Sequence, residues 1–512
     1  PNILVVITDD QANSLFNRDL MPNVFSKIVD RGVLFDQAYV NTSQCCPSRA
    51  QILTGLFAHH NGVDGNSVDL LHPTMVELLQ DEGYRTMLAG KCLNSWPCKP
   101  RWEFQVLACI RGLNRHPSLR DPVIHRDGVA KRKRGYQTEI LADILAREIA
   151  ATPADQPFAA IYSPTSPHMP ANDDRYRSMP VAPYRPPNFD RAPEGGTAPP
   201  YATRDPLSAE EIAKIDLTYR KMARSTRALD DSRGRLIDSL GPRAENTIVF
   251  FLSDNGYMYG EHRLRKKVAP YEESVRVPFA ISYPGYSDAV QGAVSSSLVQ
   301  NVDIAPTVAE LVGREWSSDG VSLLPLLSTP QAVVRDAALI ENCQASKYPC
   351  YGIARRGSRT IPSYWAVVSN GFKYIEYLTG HKALFDLAND PHELNNLTGN
   401  DSYAAIKEAM ARRLLLFRQP PPVDTTIVSG PEGSISRQKG TFRYFSHDRA
   451  SVYLCRMTVG EETSAWQLCD RFTHETGTLE PGSYVFEVAA QDKRGLTDPS
   501  PARQEFEILP RD

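Results

Sequence analysis

The sequence predicts an α/β fold with a largely parallel central sheet and helices on both faces, a small carboxyl-terminal subdomain and an appended all-β sandwich. Strand patterns alternate with helical patterns through the first three hundred residues, which is typical of a doubly covered parallel sheet. A proline-rich run at 419–424 then precedes short alternating strands, which favour a separate sandwich. The chain of 512 residues is long enough for more than one compact unit.

The strongest strand patterns lie in the first three hundred residues, at 2–8, 84–89, 158–162, 247–252 and 279–283. Polar residues follow four of these strands. Because ligands bind at the carboxyl edge of an open α/β sheet, we expect these residues to form one site. They are Asp9 and Asp10, Lys91, His168, and Asp254 with Asn255.

The later chain suggests further divisions. Residues 179–206 are dense in proline and glycine and predict a long surface loop. The alternation of Tyr484, Phe486 and Val488 on one face resembles immunoglobulin or fibronectin type III modules. We expect a catalytic domain at 1–418, a stiff linker at 419–424 and a sandwich at 425–512. Within the catalytic domain, the main α/β region is expected at 1–313 and the subdomain at 314–418, ending in a helix at 402–417.

Composition is that of an ordinary soluble protein, with 41% hydrophobic residues and a formal charge of −3. No apolar run approaches the roughly 18 residues of a membrane span. No signal peptide opens the chain, so we expect the sequence to begin at or after a processing point. No fold or aromatic pattern favours nucleic acid binding.

Nine cysteines include three pairs that are close in sequence. We predict disulfides between them, since none has the C-x-x-C spacing typical of zinc. Such pairs favour an oxidising compartment. The pairs are Cys92 with Cys98, Cys343 with Cys350, and Cys455 with Cys469.

Asp9 and Asp10 are adjacent carboxylates that repel each other unless a cation or strong donors lie between them. Asp254 and Asn255 add two more oxygen donors after another strand. An all-oxygen set suits calcium or magnesium and not zinc. Taken alone, either pair is also explained as a helix cap or a turn.

The most informative motif spans 45–54, CCPSRAQILT, at the start of a helical pattern. Pro47 and Arg49 stand two and four residues after Cys45, whereas Cys46 has Ser48 and Ala50 at those places. Alone, the motif is also compatible with a buried cysteine pair. Joined to the two acidic pairs, it resembles type I sulfatases of the alkaline phosphatase superfamily, over roughly residues 1–418. In that family the first cysteine is oxidised to formylglycine by a maturation enzyme.

The resemblance implies a mechanism and a metal site. One hydroxyl of hydrated formylglycine attacks sulfur to form a covalent sulfo-enzyme, and the other expels sulfate, so that one difficult step becomes two. It also implies one divalent ion, usually calcium and less often magnesium. The implied ligands are Asp9, Asp10, Asp254, Asn255 and the modified Cys45.

The resemblance also implies groups that contact the substrate. Arg49 would hold the formylglycine hydroxyl, and Lys91 in a G-K pair and Lys267 would bind sulfate, although Lys266 could take the place of Lys267. His168, in a P-H-x-P pattern, is expected to contact sulfate and protonate the leaving oxygen, for which an ordinary pKa near 6.5 is well placed.

The chain departs from many arylsulfatases in one place. Their G-K-x-H motif has a histidine where this chain has Leu93. The run 90–94, GKCLN, instead resembles the branch that contains N-acetylglucosamine-6-sulfatases. The base that collapses the hemiacetal is therefore unassigned, with Asn94 and His262 as candidates; we also expect His262 to contact substrate.

The stretch 97–135 carries ten lysines or arginines against Glu103, Asp121 and Asp127. A basic surface near the site attracts polyanions such as sulfated polysaccharide. A solvated loop explains it equally well.

We therefore expect a secreted or periplasmic, metal-dependent enzyme that hydrolyses an aryl sulfate or a sugar 6-sulfate. A phosphodiesterase or phosphonate monoester hydrolase of the same superfamily is one alternative. A non-catalytic glycan-binding protein is the other.

Overall fold

A ten-stranded sheet forms the centre of the computed structural model, which describes residues 1–96, 98, 99, 101, 103–110, 119–171, 173–196, 201, 205–285, 290–342, 361–418, 425–446, 452–470, 473–491 and 497–510. The spatial strand order is β10-β2-β9-β8-β1-β7-β3-β4-β5-β6, and the five strands from β8 to β4 are parallel. The predicted fold class is confirmed. The strands are β1 (Asn2–Thr8), β2 (Gly32–Phe35), β3 (Arg85–Gly90), β4 (Val106–Cys109), β5 (Val123–Arg126), β6 (Val129–Arg132), β7 (Phe158–Ser163), β8 (Thr247–Ser253), β9 (Phe279–Ser282) and β10 (Ala293–Ser295).

Helices cover both faces of this sheet. Alternate residues of β1 point to opposite faces, so that Ile3, Val5 and Ile7 enter one core while Leu4 and Val6 enter the other. Helices α2, α4 and α8 pack in the first core and α1, α5 and α6 in the second. The helices are α1 (Pro22–Lys27), α2 (Cys45–Thr54), α3 (Ala58–Asn61), α4 (Met75–Asp81), α5 (Gln137–Ala150), α6 (Ala209–Asp238), α7 (Glu272–Val275), α8 (Ile304–Leu311) and α9 (Ala404–Phe417).

A second, antiparallel sheet follows, formed by β11 (Ala338–Asn342), β12 (Tyr364–Ser369), β13 (Phe372–Tyr377) and β14 (Lys382–Asp386). Helix α9 packs on it through Met410 and Leu414. Where the sequence predicted a helix from residue 402, the first turn is a 3₁₀ turn and the α-helix begins at Ala404.

Two further sheets enclose a core of aromatic residues that includes Phe442, Tyr444 and Phe486. The predicted linker, 419–424, lies outside the described residues, and the domain boundaries stay predictions. One sheet has strands Thr425–Ser429, Thr441–Ser446 and Thr473–Glu475; the other has Gly433–Ile435, Val452–Val459, Glu462–Thr463, Gln467–Cys469, Gly482–Gln491 and Ala502–Ile508.

Some of the disulfides differ from the expectation. Cys455 pairs with Cys469 as predicted, but Cys98 pairs with Cys109 and Cys92 is a free thiol. The predicted Cys92–Cys98 bridge is therefore wrong. The end of β4 brings the Cα of Cys109 to 5.7 Å from that of Cys98, a proximity that spacing along the chain does not reveal. Cys343 and Cys350 lie outside the described residues. No helix among those described is both long and apolar enough to cross a membrane.

Asp230 of α6 caps the start of α1. Its fully buried carboxylate accepts hydrogen bonds from the backbone N–H groups of Asn23 and Val24, at 2.8 and 2.9 Å, and from Asn23 Nδ2 at 2.9 Å. The residue that precedes α1, Met21, has no side-chain acceptor for these N–H groups. The cap therefore comes from a distant helix and ties α1 to α6.

Replacing Asp230 with alanine leaves these buried donors unpaired, so we expect a loss of about 1–3 kcal/mol of unfolding free energy. Thermal unfolding followed by circular dichroism measures it as a lower Tm. The control is Asp238→Ala, which breaks an exposed ion pair between the same helices, with Lys27, and should cost less than about 1 kcal/mol. Equal Tm values for the two variants would contradict the capping role.

Candidate active site

The carboxyl ends of β8, β1, β7 and β3 lie side by side, and the polar residues that follow them meet at this edge. The register that pairs Thr8 with Ser253 puts Asp9 beside Asp254. The backbone N–H of Asp10 donates to Asp254 Oδ1 at 3.1 Å, and Asn255 Nδ2 donates to Asp10 Oδ1 at 2.8 Å. The four predicted metal ligands from β1 and β8 are thus in one buried cluster.

Cys45 is the first residue of α2, and its side chain is buried at the same edge. Its Sγ lies 3.5 Å from Asp9 Oδ1 and 2.7 Å from Lys267 Nζ. Burial raises the pKa of the thiol to about 12. An unmodified Cys45 is therefore protonated at neutral pH and is a poor nucleophile.

Arg49 stands one helical turn after Cys45 on the same face of α2. Its buried guanidinium donates from Nε to Asp254 Oδ2 at 2.8 Å, and from Nη1 to Ser163 Oγ at 2.5 Å and to the backbone oxygen of Lys91 at 2.8 Å. The remaining nitrogen, Nη2, is buried and has no hydrogen-bond partner among the described residues. One donor of Arg49 thus has no partner in the described part of the chain and is available to a bound group.

Two ammonium groups complete the cationic side of the site. Lys91 Nζ donates to Asp9 Oδ2 at 2.7 Å, and Lys267 Nζ contacts Asp10 Oδ1 as well as Cys45. Burial lowers the pKa of each lysine, but the facing carboxylates outweigh it and the net shift is upward. Both lysines are therefore charged. Lys266 is exposed, and Lys267 is the neighbouring lysine that contacts Asp10 and Cys45.

His168 follows β7 and borders the same space. Its Nδ1 donates to the backbone oxygen of Met169 at 2.5 Å, which fixes the proton on that nitrogen. Nε2 lies 3.6 Å from Asp10 Oδ2. The imidazole therefore presents Nε2 to the carboxylate cluster.

His262 is the one predicted site residue that the structure does not bring to this edge. Its ring is buried, stacks on Tyr271 with ring centroids 3.9 Å apart, and lies 3.2 Å from Asn188 Nδ2. Burial lowers its pKa to about 3. The expected substrate contact of His262 is therefore corrected, because the imidazole is enclosed by packing. Asn94, the other candidate base, does line the site.

A cavity of about 200 Å³ opens over these groups. The sequence analysis missed three polar residues here: Ser163, which accepts a hydrogen bond from Arg49, and Asn66 and Thr165 in the wall. Ser163 ends β7, so the strand-end argument could have found it, whereas Asn66 lies in a loop without a signal. The lining residues are Asp9, Cys45, Asn66, Lys91, Asn94, Ile110, Leu119, Thr165, His168, Met169, Pro170 and Lys267.

The donor set fits a divalent cation. Three buried carboxylates converge here, and the carboxylate, thiol and imidazole atoms of Asp9, Asp10, Cys45 and His168 lie within 4.8 Å of one another. The Lys267 ammonium contacts Asp10, Cys45 and Asn255, the last at 3.4 Å. The side chains around this point therefore stabilise a positive charge. Oxygen donors of this kind suit calcium or magnesium.

Comparisons with known proteins agree with this geometry. The sulfatase family matches residues 1–314, and a family described as "N-sulphoglucosamine sulphohydrolase, C-terminal" matches 260–419. An N-acetylglucosamine-6-O-sulfatase of Bacteroides thetaiotaomicron is 26% identical over 490 residues, which cover 81% of this chain and 85% of that protein. An extracellular sulfatase SULF-1 homolog of Drosophila melanogaster is 29% identical over 66% of this chain, which spans only 32% of that longer protein.

Solved structures share the fold. One, an enzyme in complex with its substrate D-glucosamine-2-N,6-O-disulfate, superposes with a TM-score of 0.69 at 25% identity and covers 82% of this chain and 97% of that one. A phosphonate monoester hydrolase of Agrobacterium radiobacter has a TM-score of 0.64 at 22% identity, covering 82% and 95%, and shows a common fold.

The sulfatase match spans more than half of the chain and includes β1, β8, the start of α2 and every residue brought to the cavity. On these grounds the chain belongs to the sulfatase family, the sulfuric ester hydrolases of the alkaline phosphatase superfamily.

Proposed function

We propose that this protein hydrolyses sugar 6-sulfate esters by means of a formylglycine made from Cys45. The observation that carries the proposal is the position of Cys45, which lies at the start of α2 between an ammonium group and a buried carboxylate, with Arg49 one turn away. Relatives named N-acetylglucosamine-6-sulfatases and the GKCLN run support the sugar over an aryl sulfate.

Conversion of Cys45 would replace the poorly nucleophilic thiol with a hydrated aldehyde that carries two hydroxyl groups. One hydroxyl of hydrated formylglycine, on losing its proton, forms a bond to sulfur as the bond from sulfur to the alcohol oxygen breaks and that oxygen takes up a proton. The other hydroxyl then gives its proton to a base, the bond from the same carbon to the sulfate oxygen breaks, and aldehyde and sulfate are formed. A calcium ion held by Asp9, Asp10, Asp254 and Asn255 would polarise a sulfate oxygen.

The residues around Cys45 have separate tasks. Arg49 Nη2, buried and unpartnered among the described residues, is placed to hold the nucleophilic oxygen. Lys91 and Lys267 offer two charged donors to the sulfate oxygens, a stabilisation that grows as charge develops on them. His168, as an imidazolium whose Nδ1–H is hydrogen-bonded to the Met169 carbonyl, gives its Nε2 proton to the departing alcohol oxygen.

A location outside the cytoplasm is included in the proposal. The two disulfides among the described residues support an oxidising compartment. Relatives named extracellular sulfatases support the same conclusion. We propose a secreted or periplasmic enzyme that depends on a maturation enzyme for Cys45.

Conversion of Cys45 is the first expectation. Oxidation of CH₂SH to CHO removes about 18 Da from the peptide that contains Cys45, because the side chain exchanges sulfur and two hydrogens for one oxygen. Fragment spectra of protein from the native host place the loss at Cys45 and not at Cys46. The Cys45→Ser variant should lose at least about 10³-fold in kcat/KM on a sulfate ester. An unmodified thiol with retained phosphodiester hydrolysis would favour the phosphate-ester alternative.

Metal binding is the second expectation. Asp10→Asn removes one charge from the ligand set, and we expect calcium affinity to fall by at least about 100-fold, measured by calorimetry and by metal content after dialysis. Asp30→Asn, which breaks an exposed pair with Arg18, is the matched control and should keep its calcium. Unchanged calcium in both variants would place the metal elsewhere.

The role of His168 predicts a dependence on the leaving group. A sugar alkoxide is a poor leaving group and needs a proton, whereas a nitrophenolate does not. We therefore expect His168→Ala to lower kcat on a sugar 6-sulfate by about 10²–10⁴-fold and on nitrophenyl sulfate far less. Equal losses on both substrates would assign His168 to sulfate binding alone.

A further inference from the structure

The far edge of the central sheet carries an exposed basic segment. We call residues 131–134, Lys131, Arg132, Lys133 and Arg134, the basic edge; all four side chains are exposed. The first two end β6, the outermost strand, and the others follow it. Four positive charges thus stand together on a chain whose formal net charge is −3.

The strand register places the basic edge on the side of the sheet where the cavity opens. β5 runs antiparallel to β4, with His125 opposite Cys109, the last residue of β4. Val123 lies two residues further along β5 in the direction in which β4 ends, and it pairs with Arg132 of β6. Arg132 therefore lies level with the chain just beyond the carboxyl end of β4. The next residue after β4, Ile110, lines the cavity. At about 4.8 Å between strands, Arg132 stands roughly 10 Å to the side of β4.

A second set of contacts links the cavity to the basic edge. Leu119 lines the cavity, and its backbone oxygen accepts from the N–H of Gln137. Arg134 is three residues before Gln137, within about 10 Å of it by the reach of the chain. The basic edge therefore begins close to the wall of the active site.

The charged groups of the basic edge form no ion pairs with acidic residues in the described part of the chain. Lys131, Lys133 and Arg134 form no ion pair with any residue in the described ranges, and Arg132 donates only to the backbone oxygen of Asp121, at 3.5 Å. Neighbouring basic residues differ, since Arg126 pairs with Glu148 and Arg120 with Asp174. The basic edge is thus available to an external anion.

We infer that the basic edge binds the polyanionic continuation of the substrate, a sulfated polysaccharide chain whose sulfated sugar occupies the cavity. This inference rests on the proposed function and extends it to the substrate class. A cavity of about 200 Å³ is below the roughly 300 Å³ at which drug-sized pockets begin, so further sugars of a chain lie on the surface outside it. The lysines and arginines of the basic edge, which begins near the cavity wall, meet the sulfates of those sugars.

Protection of an open sheet edge is the rival explanation, because charges on an outer strand prevent edge-to-edge association. It requires charges within the strand itself, whereas Lys133 and Arg134 lie beyond the end of β6. Polyanion binding explains this position.

The test is the affinity for heparin, a sulfated polysaccharide, measured by calorimetry in about 50 and 300 mM salt. The triple variant K131S/K133S/R134S should bind about tenfold more weakly at low salt and show a shallower salt dependence, because fewer counterions are released. The control R412S/R437S/K439S removes three exposed basic residues from α9 and the sandwich and should bind heparin within twofold of the parent. Both variants should keep the parent kcat/KM on nitrophenyl sulfate.

Three results would overturn the inference: unchanged heparin affinity in K131S/K133S/R134S, an equal loss in the control, or parent binding to duplex DNA as tight as to heparin. Failure of the proposed function has a different signature. It is heparin binding that depends on the basic edge with no hydrolysis of any sulfate ester by formylglycine-containing enzyme.

Discussion

The structure depends on the burial of three carboxylates at one point. Asp9, Asp10 and Asp254 each expose 3% of their surface or less, and buried charges require partners or a metal. Burial and the neighbouring Asp9 raise the pKa of Asp254. Burial alone acts on Asp9 in the same direction, but Lys91 and the other cations hold its pKa below the ordinary value. Every cation of the site is therefore also a structural requirement of the sheet edge.

This constraint explains why the groups that do chemistry stand on rigid elements. The Arg49 guanidinium donates to Asp254 after β8, to Ser163 of β7 and to the backbone oxygen of Lys91 after β3. One side chain thus ties three strand ends to α2. All ten residues of α2 are buried, and the helix ends at Gly55, whose φ of 73° is readily adopted by glycine. Cys45, the proposed nucleophile at the first position of this helix, therefore has little freedom to move. Orientation of this kind is itself a large contribution to catalysis.

Sequence reasoning reached the parallel strands and the residues after them, because buried strands have an unmistakable apolar pattern and strand ends fix where their next residues lie. It failed where proximity depends on packing between distant loops. The Cys98–Cys109 disulfide and the wall residue Asn66 are of this type. The expected substrate contact of His262 failed for a related reason. This polar loop residue was expected in the site, but the ring of Tyr271 stacks on it. The positions of the strand ends were thus easier to predict than the wall of the cavity.

Charge balance bears on which esters such a site accepts. Lys91, Lys267 and Arg49 match the three carboxylates one for one, so a divalent ion and the His168 imidazolium would leave three positive charges. A monoanionic ester and a deprotonated nucleophile cancel two of these charges, and the third is lost with the proton that passes from His168 to the departing oxygen. Sulfate esters and phosphonate monoesters are both monoanions. A site with this charge balance can therefore accept either kind of monoanion, and selection between the two falls to the nucleophile and the cavity wall.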